Sequence, residues 1–301
     1  MTIESHKQPK HQRNGAVPGC FVVALAGVIA VVSLLCVPAD AQSTAGPSPS
    51  LARIALVSDT HTTRGTNEDQ PLYRGRLVKV IAAVNAAKVD FVLIAGDLTQ
   101  NGKPEEMEDF KNQIRGFEAT VWFVPGNHDI GNKRVDEKQS NLTAFRLARF
   151  EMRCGPSFFA RTRAGIRVIG FNSPILGSGF RREKAMWRFL ENELAKPSAV
   201  PTLVFTHYPL FISNPNEPSE YFNIEPQPRR KLLALLKQGG VSTYLSGHLH
   251  RPLTNRTDGM LLLTTGPVSF GLPRGKQPQG WTLVTVPARG EVRGEYRAIK
   301  E

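Results

Sequence analysis

The segment VWFVPGNHD, residues 121–129, carries an apolar run directly into a group of polar side chains. Val121–Val124 is short, apolar and rich in β-branched and aromatic residues, which predicts a strand buried on both faces. Pro125 and Gly126 then favour a turn. The polar residues 127–129 follow that turn at once, and a Gly-Asn-His-Asp group placed there has few structural uses. The segment therefore indicates a functional site at the end of a strand.

Four further apolar runs end in the same way. They are Ile54–Val57, followed by Ser58-Asp59-Thr60-His61; Phe91–Ala95, followed by Gly96-Asp97; Leu203–Phe205, followed by Thr206-His207; and Tyr244–Leu245, followed by Ser246-Gly247-His248-Leu249-His250. In open α/β sheets the binding crevice lies beyond the carboxyl ends of the strands. The five polar groups are therefore expected to meet in space.

Most of these groups have an ordinary explanation when each is taken alone. Asp-x-His after a strand is more often a turn with a capping aspartate, Gly-Asp is a common turn dipeptide, and a lone Thr-His usually has no special role. Histidine placement favours the functional explanation. His6 and His11 lie near the start of the chain, and the other five all fall at predicted strand ends: His61, His128, His207, His248 and His250. Neutral imidazole is the commonest nitrogen ligand of catalytic divalent metals, so the pattern predicts a metal site.

Helical periodicity separates the predicted strands. It occurs over Leu77–Ala87, Glu105–Ile114, Leu142–Phe150, Lys184–Leu194 and Arg229–Leu236, whereas the chain from Leu261 onward is strand-like and rich in turns. Alternation of this kind predicts a layered α/β domain. Neither an internal repeat nor a second core is evident, so residues 51–301 are expected to form one catalytic domain.

The first 41 residues have the composition of a targeting segment. A basic start precedes an apolar stretch over residues 20–37, and Ala-Asp-Ala at 39–41 has the small-x-small form of a signal-peptidase site. We therefore expect export to the periplasm or the extracellular space, with cleavage before Gln42. An uncleaved membrane anchor is the alternative, since about 18 apolar residues are close to the minimum that spans a bilayer. Residues 42–50 are expected to be a flexible linker.

Charge and cysteine content limit the partners and the means of stabilisation. The formal net charge of +12 favours anionic partners such as phosphorylated molecules, nucleic acid or acidic lipid, although a basic surface kept for solubility accounts for it equally well. The basic residues do not gather into one run, so nucleic acid is possible but not favoured. A cleaved chain keeps only Cys154 and forms no internal disulfide.

Taken together and in this order, the strand-end motifs resemble those of the calcineurin-like metallophosphoesterase family. The resemblance spans roughly residues 54–250, and no ligand position of the family pattern is missing. It implies a layered β-sandwich flanked by helices. A narrower likeness, to the branch described as serine/threonine phosphatases with a calcineurin-like domain, rests on residues 126–132 (GNHDIGN), 207–211 (HYPLF) and 220–223 (EYFN).

The resemblance implies a centre of two divalent metal ions. Asp59, His61 and His250 would hold one ion; Asn127, His207 and His248 would hold the other; and Asp97 would bridge them. Two cations roughly 3.5–4 Å apart need a shared carboxylate to offset their repulsion, and they clamp the attacking and leaving oxygens of a displacement. Mixed nitrogen and oxygen ligands suit Mn, Fe, Zn, Co or Ni, so the identity of the metals stays open.

Catalytic roles follow from the same resemblance. His128 matches the family's non-ligand histidine, which stabilises the phosphoryl group and protonates the leaving oxygen, and Asp129 would orient it and keep it cationic. The implied mechanism is direct attack by metal-bound hydroxide on an anionic phosphate ester, without a phosphoenzyme. Gln100 stands where the related purple acid phosphatases have a tyrosine ligand, three residues after Asp97, so no iron–tyrosinate colour is expected.

The motifs leave the substrate open. A phosphomonoesterase or protein phosphatase is the preferred function, and a phosphodiesterase acting on cyclic nucleotides or other phosphodiesters is the alternative. A non-catalytic binding module on the same fold is disfavoured, because all the ligand positions and the non-ligand histidine are present. Five residues are candidates for lining a substrate pocket, and each is explained at least as well by packing in the rim or the core: Arg134, Arg153, Tyr208, Tyr221 and Phe222. The oligomeric state is not indicated.

Overall fold

The computed structural model describes residues 50–133 and 141–300. The predicted signal or anchor, the linker up to residue 49, and Arg134 lie outside the described residues. The strands are β1 (Ser50–Val57), β2 (Phe91–Ala95), β3 (Thr120–Val124), β4 (Phe159–Arg163), β5 (Ile166–Gly170), β6 (Thr202–Phe205), β7 (Thr243–Ser246), β8 (Leu253–Thr257), β9 (Met260–Thr264), β10 (Gly280–Pro287) and β11 (Arg293–Ala298). The helices are α1 (Gln70–Ala86), α2 (Pro104–Ile114), α3 (Asn127–Ile130), α4 (Ala144–Cys154), α5 (Arg181–Ala195) and α6 (Pro226–Gln238).

The strands form two mixed sheets. One has the order β11-β10-β1-β2-β3, with β1, β2 and β3 parallel. The other has the order β4-β5-β6-β7-β9-β8, with β5, β6, β7 and β9 parallel. In each sheet, the carboxyl ends of the parallel strands therefore lie at the same end of the sheet.

Side-chain alternation along β1 shows how the layers are stacked. Ile54 and Leu56 belong to a buried cluster that also contains Leu203 and Phe205 of β6, so this cluster fills the space between the two sheets. Ala55 and Val57 point the other way, into a second cluster shared with helical residues of α1. Successive strand side chains face opposite sides of a sheet, which places the sheets face to face and the helices outside them. The predicted layered β-sandwich flanked by helices is confirmed.

Each predicted element has a counterpart in the structure, although α1 begins at Gln70 and not at Leu77, and the additional elements include β4, β8 and α3. Strands β4 and β8 are edge strands with largely polar, partly exposed side chains, so neither has the apolar run by which a buried strand is recognised. Helix α3 spans only four residues, too few for helical periodicity, and it contains the predicted site residues 127–129. Within residues 50–133 and 141–300, no helix has the length and apolarity needed to cross a bilayer.

Candidate metal centre

All seven predicted ligands lie just beyond the carboxyl ends of parallel strands. Asp59 and His61 follow β1, Asp97 follows β2 and Asn127 follows β3; from the second sheet, His207 follows β6, while His248 and His250 follow β7. Every one of these residues is buried. The structure thus brings together side chains that are spread over nearly two hundred positions of sequence.

Unusual backbone geometry marks the ligand positions. Five of the seven have positive φ angles: 54° at Asp59, 46° at His61, 49° at Asp97, 70° at His248 and 51° at His250. This left-handed region costs a non-glycine residue roughly 1–2 kcal/mol and is uncommon outside functional sites. Backbone hydrogen bonds between the strand ends hold it, because Asp59 N donates to Gly96 O and His61 N to Asp97 O, both at 3.0 Å.

Glycines precede three of the ligands, Asp97, Asn127 and His248, and Gly96 and Gly247 show that there is no room for a side chain. A Cβ at Gly96, where φ is +85°, would lie 2.6 Å from Nδ1 of His207. A Cβ at Gly247 would lie 1.7 Å from Oγ of Ser58. Both distances are well inside van der Waals contact, so the Gly-Asp and Gly-His dipeptides reflect the close approach of neighbouring strand ends.

The first group of ligands, Asp59, His61 and His250, is named here the Asp59 half. Nε2 of His250 lies 3.4 Å from Oδ1 of Asp59 and 3.3 Å from Nε2 of His61. Nδ1 of His61 donates to Oε1 of Gln100 at 2.9 Å, and Nδ1 of His250 donates to the Phe270 carbonyl at 2.6 Å. Because both Nδ1 atoms donate hydrogen bonds, the lone pair of each neutral imidazole lies on Nε2. The two Nε2 lone pairs therefore face one another. A cation between them removes that repulsion.

The second group, Asn127, His207 and His248, is named the Asn127 half. Nδ1 of His207 donates to the Ala95 carbonyl at 2.8 Å, which leaves Nε2 2.9 Å from Oδ1 of Asn127. His248 is turned the other way: its Nε2 donates to the Tyr221 carbonyl at 3.2 Å, so Nδ1 is the atom free to bind a metal. In both halves, a hydrogen bond on one ring nitrogen therefore fixes which nitrogen is the ligand.

Asp97 belongs to both halves. Its Oδ2 lies 3.5 Å from Nε2 of His61 and 3.3 Å from Nε2 of His207. Two sets of potential ligand atoms, each within 4.8 Å of one another, share this aspartate: Asp59, His61, Asp97 and His250, and Asp97, His207 and His248. One carboxylate between two ligand groups is the arrangement that a pair of divalent ions requires.

The charges and unmet hydrogen bonds of the cluster also suit metal ions. Oδ1 of Asp59 is buried without a hydrogen-bond partner, a costly state unless a cation meets it. Burial opposes ionisation, yet His250 holds the pKa of Asp59 at about 2. Likewise, burial disfavours a charged imidazole, but the Asp97 carboxylate raises the pKa of His207 to about 9. In the absence of metal, a proton on His207 supplies part of the missing positive charge.

His128 differs from the other four histidines of the described residues, because it alone is not fully buried. Its ring packs edge-on against His61, with centroids 4.5 Å apart, and its Nδ1 donates to the Gln100 carbonyl at 2.7 Å. This contact leaves Nε2 available. Exposure beside the ligands, without membership of either half, is what a non-ligand histidine requires.

Asp129 does not orient His128, and that prediction was wrong. Its Oδ1 accepts hydrogen bonds from the backbone N and the Oγ1 of Thr99, and its Oδ2 accepts from the backbone N atoms of Leu98 and Gly126. Burial, with the nearby Asp97, raises the pKa of Asp129 to about 6. Asp129 therefore ties the segment after β2 to the turn after β3, and the carbonyl of Gln100 holds His128 instead.

Two residues of the site were missed as positioning groups. Gln100 contacts His61 through its side chain and His128 through its carbonyl. Phe270 accepts from His250 through its carbonyl, and its ring centroid lies 4.2 Å from that of His250. Gln100 offered a signal, since it lies three residues after the predicted bridging aspartate. Phe270 offered none, because it follows no polar motif and acts through its backbone.

The predicted rim residues have different locations. Tyr208 is completely buried and lines no open pocket. Arg153 is exposed near the end of α4. Tyr221 and Phe222 do reach the site, since both rings lie against His248, with centroids 5.1 and 5.5 Å from it.

The fold and this cluster are matched by known proteins. The sequence pattern of the calcineurin-like phosphoesterase family fits residues 52–252, which contain every predicted ligand. The chain belongs to the calcineurin-like phosphoesterase family. It is therefore a metal-dependent hydrolase of phosphate esters, and the shared carboxylate with its two ligand groups fits the dinuclear metal site of that family.

Individual relatives include enzymes with different names. The serine/threonine-protein phosphatase CPPED1 of Danio rerio is 29% identical over 225 residues, which cover 69% of each chain. The probable glycerophosphodiester phosphodiesterase GpdQ of Arcobacter nitrofigilis is 28% identical over 187 residues, covering 59% of this chain and 62% of the relative. The crystal structure of a dimetal phosphatase from Danio rerio has the same fold, with a TM-score of 0.57 and 11% identity over 83% of this chain and 96% of that one.

Proposed function

We propose that this calcineurin-like phosphoesterase is a phosphomonoesterase whose substrates include phosphoproteins or small phosphate monoesters. The observation that carries the proposal is Asp97, a single carboxylate shared by two ligand groups, with the partly exposed His128 beside it. The preference for monoesters is supported by similarity to the CPPED1 phosphatases, whose matches cover about 70% of each chain. The net charge of +12 suits an anionic substrate.

The chemistry divides between the metals and the chain. When bound, two divalent ions activate a water nucleophile and neutralise the charge on the phosphoryl group. Asp59, Asp97 and Asn127 supply the oxygen ligands, and the four buried histidines supply the nitrogens. His128, held through Nδ1 by the Gln100 carbonyl, presents Nε2 to the leaving oxygen and gives it a proton.

A comparison of two chromogenic substrates tests the proposed class. Purified protein is stripped of metal, loaded with Mn²⁺ and assayed with p-nitrophenyl phosphate and with bis-p-nitrophenyl phosphate. We expect a higher kcat/KM for the monoester, and no turnover by the Asp97→Ala control. Protein that carries two metals per chain but is inert towards both substrates would overturn the proposal.

Phosphodiester hydrolysis is the second candidate. It is supported by the similarity to GpdQ, which is named as a probable glycerophosphodiester phosphodiesterase. The same assay decides between the two, because a higher kcat/KM for the bis-ester would make the chain a phosphodiesterase. Cyclic nucleotides are then the next substrates to test.

We also propose the resident metals and the location of the enzyme. Three oxygen and four nitrogen ligands suit Mn, Fe, Zn, Co or Ni, and elemental analysis of protein from its native source would identify the pair. The basic start, apolar stretch and Ala-Asp-Ala of the first 41 residues support export, or attachment to a membrane through that segment. Sequencing the N-terminus of the mature protein tests cleavage: a first residue Gln42 supports it, and an intact Met1 supports the anchor.

A further inference from the structure

The segment 211–225, named here the cap loop, packs against His248 of the metal centre and is held by buried charged side chains. Lys133, with 1% of its side chain exposed, forms an ion pair with Glu225 at 2.9 Å and donates to the carbonyls of Glu220 and Asn223. Glu217 accepts from the backbone N atoms of Ile212 and Ser213, at 2.7 and 2.8 Å. Lys133 thus ties the second part of the loop to the rest of the domain, and Glu217 closes the first part on itself, which holds the side chains of the loop in defined positions.

This loop places Tyr221 against the Asn127 half. The Tyr221 carbonyl accepts from Nε2 of His248 at 3.2 Å, and its ring centroid is 5.1 Å from that of His248. The Tyr221 hydroxyl lies 3.2 Å from Nδ2 of Asn127. The residue is nevertheless 39% exposed, so the ring reaches from a ligand group to solvent.

The direction of the Tyr221–Asn127 hydrogen bond leaves one proton unused. Oδ1 of Asn127 faces His207, so the amide NH₂ is the part that faces Tyr221. An NH₂ group only donates, and therefore the Tyr221 oxygen accepts. Its own O–H has no acceptor among residues 50–133 and 141–300. The Tyr221 O–H is thus a hydrogen-bond donor that lies beside the ligands, on an exposed residue, and has no acceptor in the described residues.

His128 and Tyr221 pack against histidines of different halves. His128 packs on His61 of the Asp59 half, whereas Tyr221 packs on His248 of the Asn127 half. We propose that the Tyr221 hydroxyl donates a hydrogen bond to a non-bridging oxygen of the substrate phosphoryl group at the Asn127 half, whereas His128 acts at the Asp59 half. The assignment rests on the proposed phosphoesterase function and deepens it. A monoester has three non-bridging oxygens and a diester two, so this extra donor favours monoesters.

Binding of inorganic phosphate to the Mn²⁺-loaded protein tests the contact without relying on turnover. Tyr221→Phe removes the hydroxyl and keeps the ring against His248. We expect calorimetric titration to show phosphate affinity about tenfold weaker, the typical effect of losing one hydrogen bond to a charged group. The kcat/KM for p-nitrophenyl phosphate should fall by about the same factor, and that for the bis-ester by less.

Tyr208→Phe is the matched control. Its ring also packs on His248, with centroids 4.4 Å apart, but Tyr208 is completely buried and out of reach of a substrate. Its phosphate affinity should equal that of the wild type. Metal content measured in parallel should be two ions per chain in all three proteins.

The outcomes separate the contact from the proposed function. Unchanged phosphate affinity in Tyr221→Phe, with ester hydrolysis by the wild type, would overturn the contact alone. Loss of metal by Tyr221→Phe would also overturn it, since the hydroxyl would then act by holding Asn127. A wild-type protein that hydrolyses no ester, yet binds phosphate with the same dependence on Tyr221, would support the contact and overturn the proposed function.

Discussion

Asp59 and Asn127 occupy corresponding places in the two halves of the metal centre, and they differ by one charge. Each half has two buried histidines and a share of Asp97, but the Asp59 half adds a carboxylate where the Asn127 half adds a neutral amide. Metal affinity rises with the number of charged ligands. The Asp59 half is thus expected to retain its ion, and the Asn127 half to exchange its ion more readily.

Aromatic rings pack against the histidines of both halves. In the Asp59 half, the Phe270 ring lies against His250, and His61 lies near both Phe270 and Tyr73. In the Asn127 half, the rings against His248 include Tyr221, which is 39% exposed. The difference between the halves is therefore the charge of Asp59 and not the burial of the ligands.

Replacing the residue common to both halves should have the largest effect. Asp97→Ala removes the carboxylate that offsets the repulsion of the two ions, so both should be lost together with at least roughly 1,000-fold in kcat/KM. Elemental analysis and the p-nitrophenyl phosphate assay measure the two losses on one sample. Full activity in metal-free Asp97→Ala would show that the two halves do not form one centre.

His128→Ala should lower kcat by about 100-fold or more, because it removes a proton donor without removing a ligand. Metal content should stay at two ions per chain. If metal is lost instead, His128 belongs to the Asp59 half as a ligand, and the division of roles around His61 is wrong.

The charge difference between the halves predicts the order of metal loss. During titration with a chelator, the Asn127 half should release its ion first, giving a species with one metal per chain. Asp59→Asn makes the halves equal in charge and should weaken the tighter site by roughly 10- to 100-fold, so that both ions leave together. Simultaneous loss from the wild type would contradict the comparison.

Gln100 offers a way to disturb one half only. Gln100→Leu removes the acceptor for Nδ1 of His61 and should weaken metal binding in the Asp59 half by roughly 10- to 100-fold, as loss of such partners typically does. Gln100→Glu keeps an acceptor and should restore most of the affinity. Equal loss in both variants would mean that the side chain serves packing and not the orientation of His61.

The smallest expected effect concerns the metal-free protein. Asp97 raises the pKa of His207 from 6.5 to about 9, although burial opposes this, so folding binds a proton in that range. The resulting stability is fully present below about pH 6.5 and is lost as the pH rises through 9. Scanning fluorimetry in chelator should show Tm falling from pH 7 to 9. Mn²⁺-loaded protein should not show this fall, since the metal needs neutral His207.

Much of the fold and the site was predictable because strand ends carry their ligands in the sequence itself. Buried parallel strands read as apolar runs, and the residue after each run marks its carboxyl end. Strands β4 and β8 have largely polar side chains and lack that signal, which is why they were missed. For β8 a weaker signal existed: Asp258-Gly259, both with positive φ, form the two-residue turn into β9.

Asp129 shows where sequence proximity misleads. It follows His128 directly, which favoured a partnership between the two, but the turn after β3 aims its carboxylate at Leu98 and Thr99. Adjacent residues of a short helix point in different directions, and backbone N–H groups from another strand end compete for a buried carboxylate. Only the packing of β2 against β3 reveals which donors are within reach.

The sequence by itself determined the layered α/β architecture and which residues to propose as ligands or, for His128, as a non-ligand, because these depend on residue types and their order along the strands. The tertiary structure decided the rest: which nitrogen of each histidine is free, that Gln100 and Phe270 hold His61 and His250, and that Tyr221 borders the Asn127 half. Each of these depends on contacts between residues far apart in the chain, made at backbone angles that a sequence of ordinary aspartates and histidines gives no reason to expect.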